Sequence, residues 1–121
     1  MQNFSNLRAW HLAREIVRDI ADLLPASRCR RVPGFHGQIL RAARSIAANI
    51  SEGCGKRSRA ELRRYLESAH GSLFEVQSDV EIAITCRMLR RNEHAMLYRK
   101  LVVLRRMLAS LLRRVDMEGD P

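Results

Sequence analysis

The residues of this sequence that could bind a metal are few and poorly spaced. Glu67 and His70 form one E-x-x-H motif, which places a carboxylate and an imidazole one turn apart on a helix. A di-iron or di-manganese site in a helical bundle needs that motif twice, together with a glutamate from each of two further helices. Residues 95–115 contain neither an acidic residue nor a histidine. The sequence therefore predicts no metal site and no bound cofactor.

Nucleophilic chemistry is equally weakly supported. Cys54 lies in the stretch GCGKR, residues 53–57, and neighbouring cations lower the pKa of a thiol. However, no histidine lies nearby in the sequence to serve as its base. There is also no phosphate-binding loop of the G-x-x-x-x-G-K type. We therefore predict no catalytic residues and a protein that is not an enzyme.

Basic residues are the strongest functional signal. The chain has a net charge of +9 and a pI near 10.9, and all of its 22 basic residues except Lys56 and Lys100 are arginines. A pI above about 9 is typical of nucleic-acid-binding domains. The residues predicted to contact RNA or DNA are Arg99, Lys100, Arg105, Arg106 and Arg113 near the C-terminus, and Lys56, Arg57 and Arg59 near the middle of the chain.

The arginine pattern indicates contact with the phosphate backbone rather than with bases. Arg99, Arg106 and Arg113 are spaced by seven residues, so they follow one side of a helix. Such a row neutralises phosphates by charge and carries no sequence information. Only 5% of residues are aromatic, so sequence-specific recognition of single strands by base stacking is not expected.

Two alternatives use the same basic surface without nucleic acid. In one, the protein is an interaction module whose arginines dock an acidic protein partner. In the other, the basic face is solvated and forms ion pairs between subunits, with Glu67, Asp79 and Glu81 as the acidic partners.

The helices that must position these residues are organised around residues 41–75. Gly53 and Gly55 are predicted to end one helix, because glycine adopts the left-handed conformation that closes helices at little steric cost. Ser58 and Glu61 then form an S-x-x-E capping box that starts the next helix. The N-caps predicted for the first and fourth helices are Ser5 or Asn6, and Asn92.

Hydrophobic periodicity predicts four helices, at about residues 7–24, 35–52, 59–89 and 93–115. In the third helix, the apolar spacing alternates between four and three residues from Leu62 to Ala83, which is typical of packed helices. The turns after the second and third helices are short. These features predict an all-α protein, an antiparallel up-down four-helix bundle that forms a single domain over residues 1–121.

A second apolar face on the third helix predicts self-association. Its residues lie away from the core-facing stripe, and a helix with two apolar faces usually contacts more than its own core. The alternative is that these are scattered surface residues, which are common. The predicted subunit-interface residues are Gly71, Phe74, Ser78 and Ile82.

The sequence also bears on the compartment. The N-terminal segment has no apolar signal-peptide region, and no apolar run approaches the roughly 20 residues that span a bilayer. The three cysteines are odd in number and form no C-x-x-C pair, which argues against a disulfide scaffold. We expect a cytoplasmic protein with no membrane partner.

The chain resembles the small bacterial "four helix bundle protein" family, which is also known from open reading frames inside intervening sequences of 23S ribosomal RNA genes. The resemblance covers residues 4 to about 115. Leu40 and His70 depart from the family pattern. The residues that carry the resemblance, apart from Trp10, are Gln38, Ile39, Arg41, Ala42, Ala43, Ser45, Ile46, Asn49, Ile50, Glu52, Gly53, Gly55, Arg57, Ser58, Glu61, Leu62, Tyr65, Leu66, Ala69, Gly71, Ser72, Leu73 and Glu75.

The resemblance implies an up-down bundle that assembles as a homopentamer around a central opening. Accessory proteins of diversity-generating retroelements look like distant relatives, and those proteins bind nucleic acid and a reverse transcriptase. The family brings no established activity. Taken with the charge, it leads us to expect a non-enzymatic homo-oligomer that binds RNA or DNA through arginines, as a scaffold or accessory factor.

Overall fold

The computed structural model describes residues 7–118, and within that range the chain forms four α-helices and one short 3₁₀ turn. Helices that follow each other in sequence are neighbours in space, and the fourth closes the bundle against the first. The predicted all-α antiparallel four-helix bundle is therefore confirmed. The elements are α1 (Arg8–Leu23), the 3₁₀ turn (Ala26–Arg28), α2 (Phe35–Cys54), α3 (Arg59–Thr85) and α4 (Arg91–Glu118).

Helix α3 ends at Thr85 rather than near residue 89, because a Schellman motif closes it. Arg87 adopts a left-handed conformation with φ of 62°. Met88 N–H then bonds to the Ala83 carbonyl at 2.7 Å, and Arg87 N–H bonds to the Ile84 carbonyl at 3.1 Å. Glycine usually occupies the left-handed position of this motif, so an arginine there gave no signal in the sequence.

The predicted helix starts are correct in part. Ser58 Oγ accepts a hydrogen bond from Glu61 N–H at 3.3 Å, which confirms Ser58 as the N-cap of α3. The prediction of Asn92 for α4 is wrong, because Asn92 lies inside the helix. Instead, Glu93 Oε1 accepts from Arg90 N–H at 2.8 Å and satisfies a donor at the helix start. The N-caps predicted for the first helix, at positions 5 and 6, lie outside the described residues.

The core is aliphatic and runs along the whole bundle. The buried residues of α2 recur at helical spacing, and the predicted core residues of α3 are buried from Leu66 onwards. In α1 the buried residues are Ala9, Ala13, Ile16 and Ile20, whereas Val17 is only partly covered. Their spacing of four, three and four residues is helical, and this stripe packs α1 against both α2 and α4.

Helices α2 and α3 approach closely at Gly53. A Cβ atom built there would lie 2.9 Å from Tyr65 Cβ and 3.2 Å from Leu62 Cδ1, so a side chain does not fit. The prediction that Gly53 and Gly55 take the left-handed conformation is wrong: Gly53 lies within α2, and Gly55 has φ of −84°. Gly53 is required for helix contact rather than for a turn.

Polar residues are paired along the same interface. Ser45 Oγ of α2 lies 2.9 Å from Ser72 Oγ of α3, and Asn49 Nδ2 donates to Ser45 O at 2.8 Å and to Ser45 Oγ at 3.0 Å. These bonds supply the partners that buried polar groups need. The Ser45–Ser72 bond also fixes the antiparallel register of α2 and α3.

The linker between α1 and α2 is tied to α4 by Arg28. Its Nη1 atom donates to the Leu23 carbonyl at 2.8 Å and to Glu93 Oε1 at 3.1 Å. Burial acts to raise the pKa of Glu93, but the hydrogen bonds from Arg90 N–H and Arg28 outweigh it, so the pKa lies below its usual value. One carboxylate therefore caps α4 and anchors the linker.

Replacing Gly53 with alanine should destabilise the bundle. The added methyl would press against Tyr65 Cβ, and such overpacking costs about 1–3 kcal/mol in free energy of unfolding. Gly37→Ala is the matched control, because a Cβ there meets only the flexible end of Arg41 at 3.3 Å. We expect the control to leave the free energy of unfolding unchanged or raised by up to about 1 kcal/mol. Chemical denaturation of both variants measures this, and equal stabilities would contradict the close approach.

Replacing Glu93 with glutamine should remove stability in a pH-dependent way. Because the folded pKa of Glu93 is lowered, its charge stabilises the protein above the unfolded pKa of about 4.3. This contribution is lost as the pH falls through the folded pKa. We therefore expect the wild type to exceed Glu93→Gln in unfolding free energy most at a pH of about 6–7. Denaturation from neutral pH into acid should show the two curves converging; a constant gap would argue against the assigned cause.

Candidate nucleic-acid interface

The outward side of α4 carries a row of exposed arginines. Arg99, Arg106 and Arg113 all face solvent, and seven residues of helix advance by about 10.5 Å. Val103 and Ser110 lie between them on the same exposed side. Among residues 7–118, none of the three arginines has a carboxylate oxygen within 4.0 Å. We call these three residues the arginine row.

Lys100 is placed differently from the arginine row. Its Nζ atom lies 2.6 Å from Asp19 Oδ2 and 3.0 Å from Glu15 Oε1, both on α1. Burial acts to lower the pKa of Lys100, but the two carboxylates outweigh it and the pKa is raised. The geometry therefore favours a structural role for Lys100, between α4 and α1, over the predicted contact with nucleic acid.

The acidic residues proposed to pair between subunits are instead occupied within the chain or buried. Glu81 is hydrogen-bonded to His94 of α4. Glu67 lies 3.5 Å from Arg63, which also donates to Asp116 Oδ1 at 2.7 Å.

Asp79 is the third of these acids, and it is buried, with only 5% of its surface exposed. Its Oδ2 atom has no hydrogen-bond partner in the described part of the chain. Burial and the neighbouring Glu75 raise the pKa of Asp79. Asp79 is therefore a poor candidate for a surface ion pair.

The predicted cluster near the α2–α3 turn is only partly available. Lys56 lies 3.9 Å from Glu52 and 5.4 Å from the centre of the Tyr65 ring. Lys56 is thus paired with Glu52. Arg57 is exposed, whereas Arg59 is partly covered.

The structure brings Arg57 and Arg113 to the same end of the bundle. Arg63, in the second turn of α3, pairs with Asp116 near the end of α4. The α2–α3 turn therefore lies next to the C-terminal part of α4. Arg57 thus continues the charge of the arginine row around this end, and Arg105 is a partly covered cation on the side of α4 nearer α3.

The predicted subunit-interface residues are all exposed, but they do not all point the same way. The side chains of Phe74 and Ile82 are 49% and 42% exposed, respectively. Phe74 lies seven residues before Glu81, which contacts α4, so Phe74 lies on the side of α3 nearer α4. Gly71, Ser78 and Ile82 form the centre and far side of this face.

Sequence reasoning missed two pairs of aromatic rings, one on α3 and one on α4. His70 and Phe74 make an edge-to-face contact, with ring centres 4.9 Å apart. His94 and Tyr98 lie nearly parallel, with ring centres 6.1 Å apart. Each pair has i, i+4 spacing on one helix, and this spacing in the sequence could have predicted the two ring contacts.

Three further features considered in the sequence are metal ligands, the Cys54 thiol and membrane-spanning segments. Within the described range, no group of three or more His, Cys, Asp or Glu residues is arranged to hold a metal ion. Cys54 is buried, and burial raises the pKa of its thiol, so the nearby cations do not activate it. No helix in residues 7–118 combines the length and apolar character needed to cross a bilayer.

Comparisons with known proteins agree with the resemblance noted from the sequence. A family model described as "23S rRNA-intervening sequence protein" matches residues 5–110. A crystal structure from Bacteroides thetaiotaomicron, of a protein of unknown function from the S23 ribosomal protein family, aligns with a TM-score of 0.78 and 22% identity. The alignment covers 86% of this chain and 97% of that one, and it shows a shared fold. No curated protein has a matching sequence.

Proposed function

Because this chain belongs to the 23S rRNA-intervening sequence protein family, we propose that it is a non-enzymatic, homo-oligomeric protein that binds the backbone of RNA or DNA. The arginine row of α4 makes the main contacts. The protein acts as a scaffold or accessory factor for a nucleic acid or for an enzyme that works on one. The family's description names an rRNA intervening sequence, so RNA is the first ligand to test.

The observation that carries this proposal is that some cations are paired with carboxylates of the same chain, whereas the arginine row is not. Lys100, Arg28 and Arg63 each contact at least one carboxylate of the same chain. The arginine row has no such partner within residues 7–118. Exposed guanidinium groups without carboxylates are free to exchange their water and counterions for phosphate oxygens.

The spacing of the row suits a contact that reads charge and not sequence. Successive arginines lie about 10.5 Å apart along a straight helix, so they can meet successive stretches of a phosphate chain. Phosphate contacts position a nucleic acid without identifying its bases. We therefore expect affinity to fall steeply with salt and to depend little on sequence.

The assembly part of the proposal is a homopentamer. Self-association is supported by the exposed face of α3, where Ile82 is 42% exposed and lies beside Gly71 and Ser78. The number five rests on the family resemblance alone. Small residues leave this face flat, so a second copy can approach closely. Several copies would also multiply the positive charge available to one nucleic acid.

Removing the arginine row should weaken binding to a structured RNA and flatten its salt dependence. Each phosphate that the protein no longer neutralises reduces the slope of log K against log salt by about 1. We expect Arg106→Gln to change the slope by that amount, and replacement of all three arginines to change it by about 2–3. Fluorescence anisotropy over a salt series measures both slopes.

Lys100→Gln is the matched control, because it also removes one positive charge from α4, at the position next to Arg99. Its cation is already paired with Asp19 and Glu15, so we expect an unchanged salt slope but a lower melting temperature. Equal effects of Lys100→Gln and Arg106→Gln on the slope would contradict the proposed interface. Capture of an acidic protein that survives nuclease treatment, with no RNA affinity at low salt, would favour the protein-docking alternative.

Introducing a charge on the α3 face should reduce the oligomer mass. Ile82→Glu places a carboxylate in the proposed contact, where burial without a partner is unfavourable. Ala21→Glu adds the same charge on the exposed side of α1 and is the control. Light scattering coupled to size exclusion should give a pentamer mass for the wild type and for Ala21→Glu, and a smaller mass for Ile82→Glu. A monomeric wild type would refute the assembly.

A further inference from the structure

We propose that Phe74 and Tyr98 form a stacking surface for unpaired bases, so that the protein prefers single-stranded or looped RNA to duplex. This inference rests on the proposed function, because the arginine row supplies the backbone contacts. It adds a preference for nucleic acids with unpaired bases, which contacts with the phosphate backbone alone do not provide. It also assigns Phe74 to the nucleic-acid surface rather than to the subunit interface predicted from the sequence.

Both rings lie along the junction of α3 and α4. Two contacts join these helices: Arg63 pairs with Asp116, and Glu81 is hydrogen-bonded to His94. Phe74 lies eleven residues after Arg63 and seven before Glu81, which are close to whole numbers of helical turns. It is therefore on the side of α3 that faces the α4 junction.

Tyr98 occupies the corresponding position on α4. It follows His94 by four residues and precedes Asp116 by eighteen, so it shares the side of α4 that contacts α3. The two cross-helix contacts set the register, which places Phe74 and Tyr98 within about two helical turns of each other along the bundle axis. Two rings at that separation can be reached by neighbouring nucleotides of one strand.

The rings are exposed and are held in place by their neighbours. Phe74 is 49% exposed and Tyr98 is 43% exposed, although large apolar side chains normally lose most of their surface on folding. His70 packs edge-to-face against Phe74, and His94 lies nearly parallel to Tyr98. Glu81 in turn holds His94. Rings that are positioned before binding lose little entropy when a base stacks on them.

The charge around the rings matches a polyanion. Arg99 directly follows Tyr98, and Arg105 follows it by seven residues, so both cations lie beside the ring along α4. Of the acids near the junction, Glu81 is hydrogen-bonded to His94, and Glu67 and Asp116 both contact Arg63. Arg99 and Arg105 have no carboxylate partner in the described part of the chain, so they are the cations that would attract a polyanion to the rings.

Aromatic rings beside a basic row are the arrangement by which proteins bind single strands without sequence preference. A protein partner would need to place acidic groups on the arginine row and apolar groups on the rings at once. A single strand carries a phosphate and a base ring at every nucleotide. The combination of arginines and exposed rings therefore favours nucleic acid as the ligand of this surface.

Three probes separate stacking from charge. The first is an unstructured oligouridine, the second is an RNA duplex of the same length, and the third is inorganic polyphosphate, which has charge but no bases. We expect Tyr98→Ala and Phe74→Ala each to weaken oligouridine binding by roughly tenfold, as loss of one stacked base would. Binding of duplex and polyphosphate should be unchanged by both variants.

Matched variants control for structural damage. Tyr98→Phe keeps the ring and should bind oligouridine like the wild type. Val103→Ala removes a 43% exposed apolar side chain that lies between Arg99 and Arg106 but carries no ring, so any effect of it should be equal for all three probes. Circular dichroism of all four variants checks that the bundle is intact.

The outcomes distinguish this inference from the proposed function. If Tyr98→Ala and Phe74→Ala leave oligouridine binding unchanged while Arg106→Gln weakens all three probes, stacking is refuted and backbone binding stands. Equal weakening of all probes by the alanine variants also refutes stacking. If Phe74→Ala lowers the oligomer mass and not the oligouridine affinity, Phe74 belongs to the subunit interface. If the wild type binds no probe at low salt, both proposals fail.

Discussion

The close packing of α2 against α3 is the constraint on which the rest of the bundle depends. Gly53 permits the approach, and the hydrogen bond between Ser45 and Ser72 fixes how far along each other the helices lie. Helix α3 is also the surface on which α4 packs. The position of α3 on α2 therefore also sets where α4 lies relative to α2, because Arg63 of α3 pairs with Asp116 of α4. A shift at Gly53 would move α3, and with it the arginine row of α4, relative to α2.

Acidic residues determine which cations remain available for a ligand. Asp19 and Glu15 hold Lys100, Glu93 holds Arg28, and Asp116 holds Arg63. These pairs lie between elements. The Lys100 and Arg28 pairs are partly buried, which strengthens the attraction, whereas the Arg63–Asp116 pair is exposed. Helix α4 has no acid between Glu93 and Asp116, so its outward cations have no partner within that stretch of their own helix. The protein thus neutralises charge where these helices meet, and the outer side of α4 is one of the surfaces on which arginines keep no carboxylate partner within the described residues.

The interior of the described part of the chain is apolar. Its core is aliphatic, and Asp79 is the only charged residue buried within residues 7–118. The features that we propose to be functional are therefore exposed, and they lie on adjoining surfaces. The outward side of α4 bears the arginine row, the α3–α4 junction bears Phe74 and Tyr98, and the centre of α3 bears Ile82. One molecule can use the first two for a nucleic acid while the third contacts another copy.

The sequence by itself determined the helices, the bundle and most of the core, because these depend on local spacing of apolar residues and on caps such as Ser58. It also predicted the arginine row, since seven-residue spacing is visible in one helix. Only the tertiary structure decided that Lys100 is paired with α1, that Gly53 serves a helix contact, and that the left-handed Arg87 closes α3. It alone placed Phe74 and Tyr98 along one junction. Each of these facts depends on residues far apart in sequence or on a backbone conformation that arginine rarely adopts, so no local pattern could reveal it.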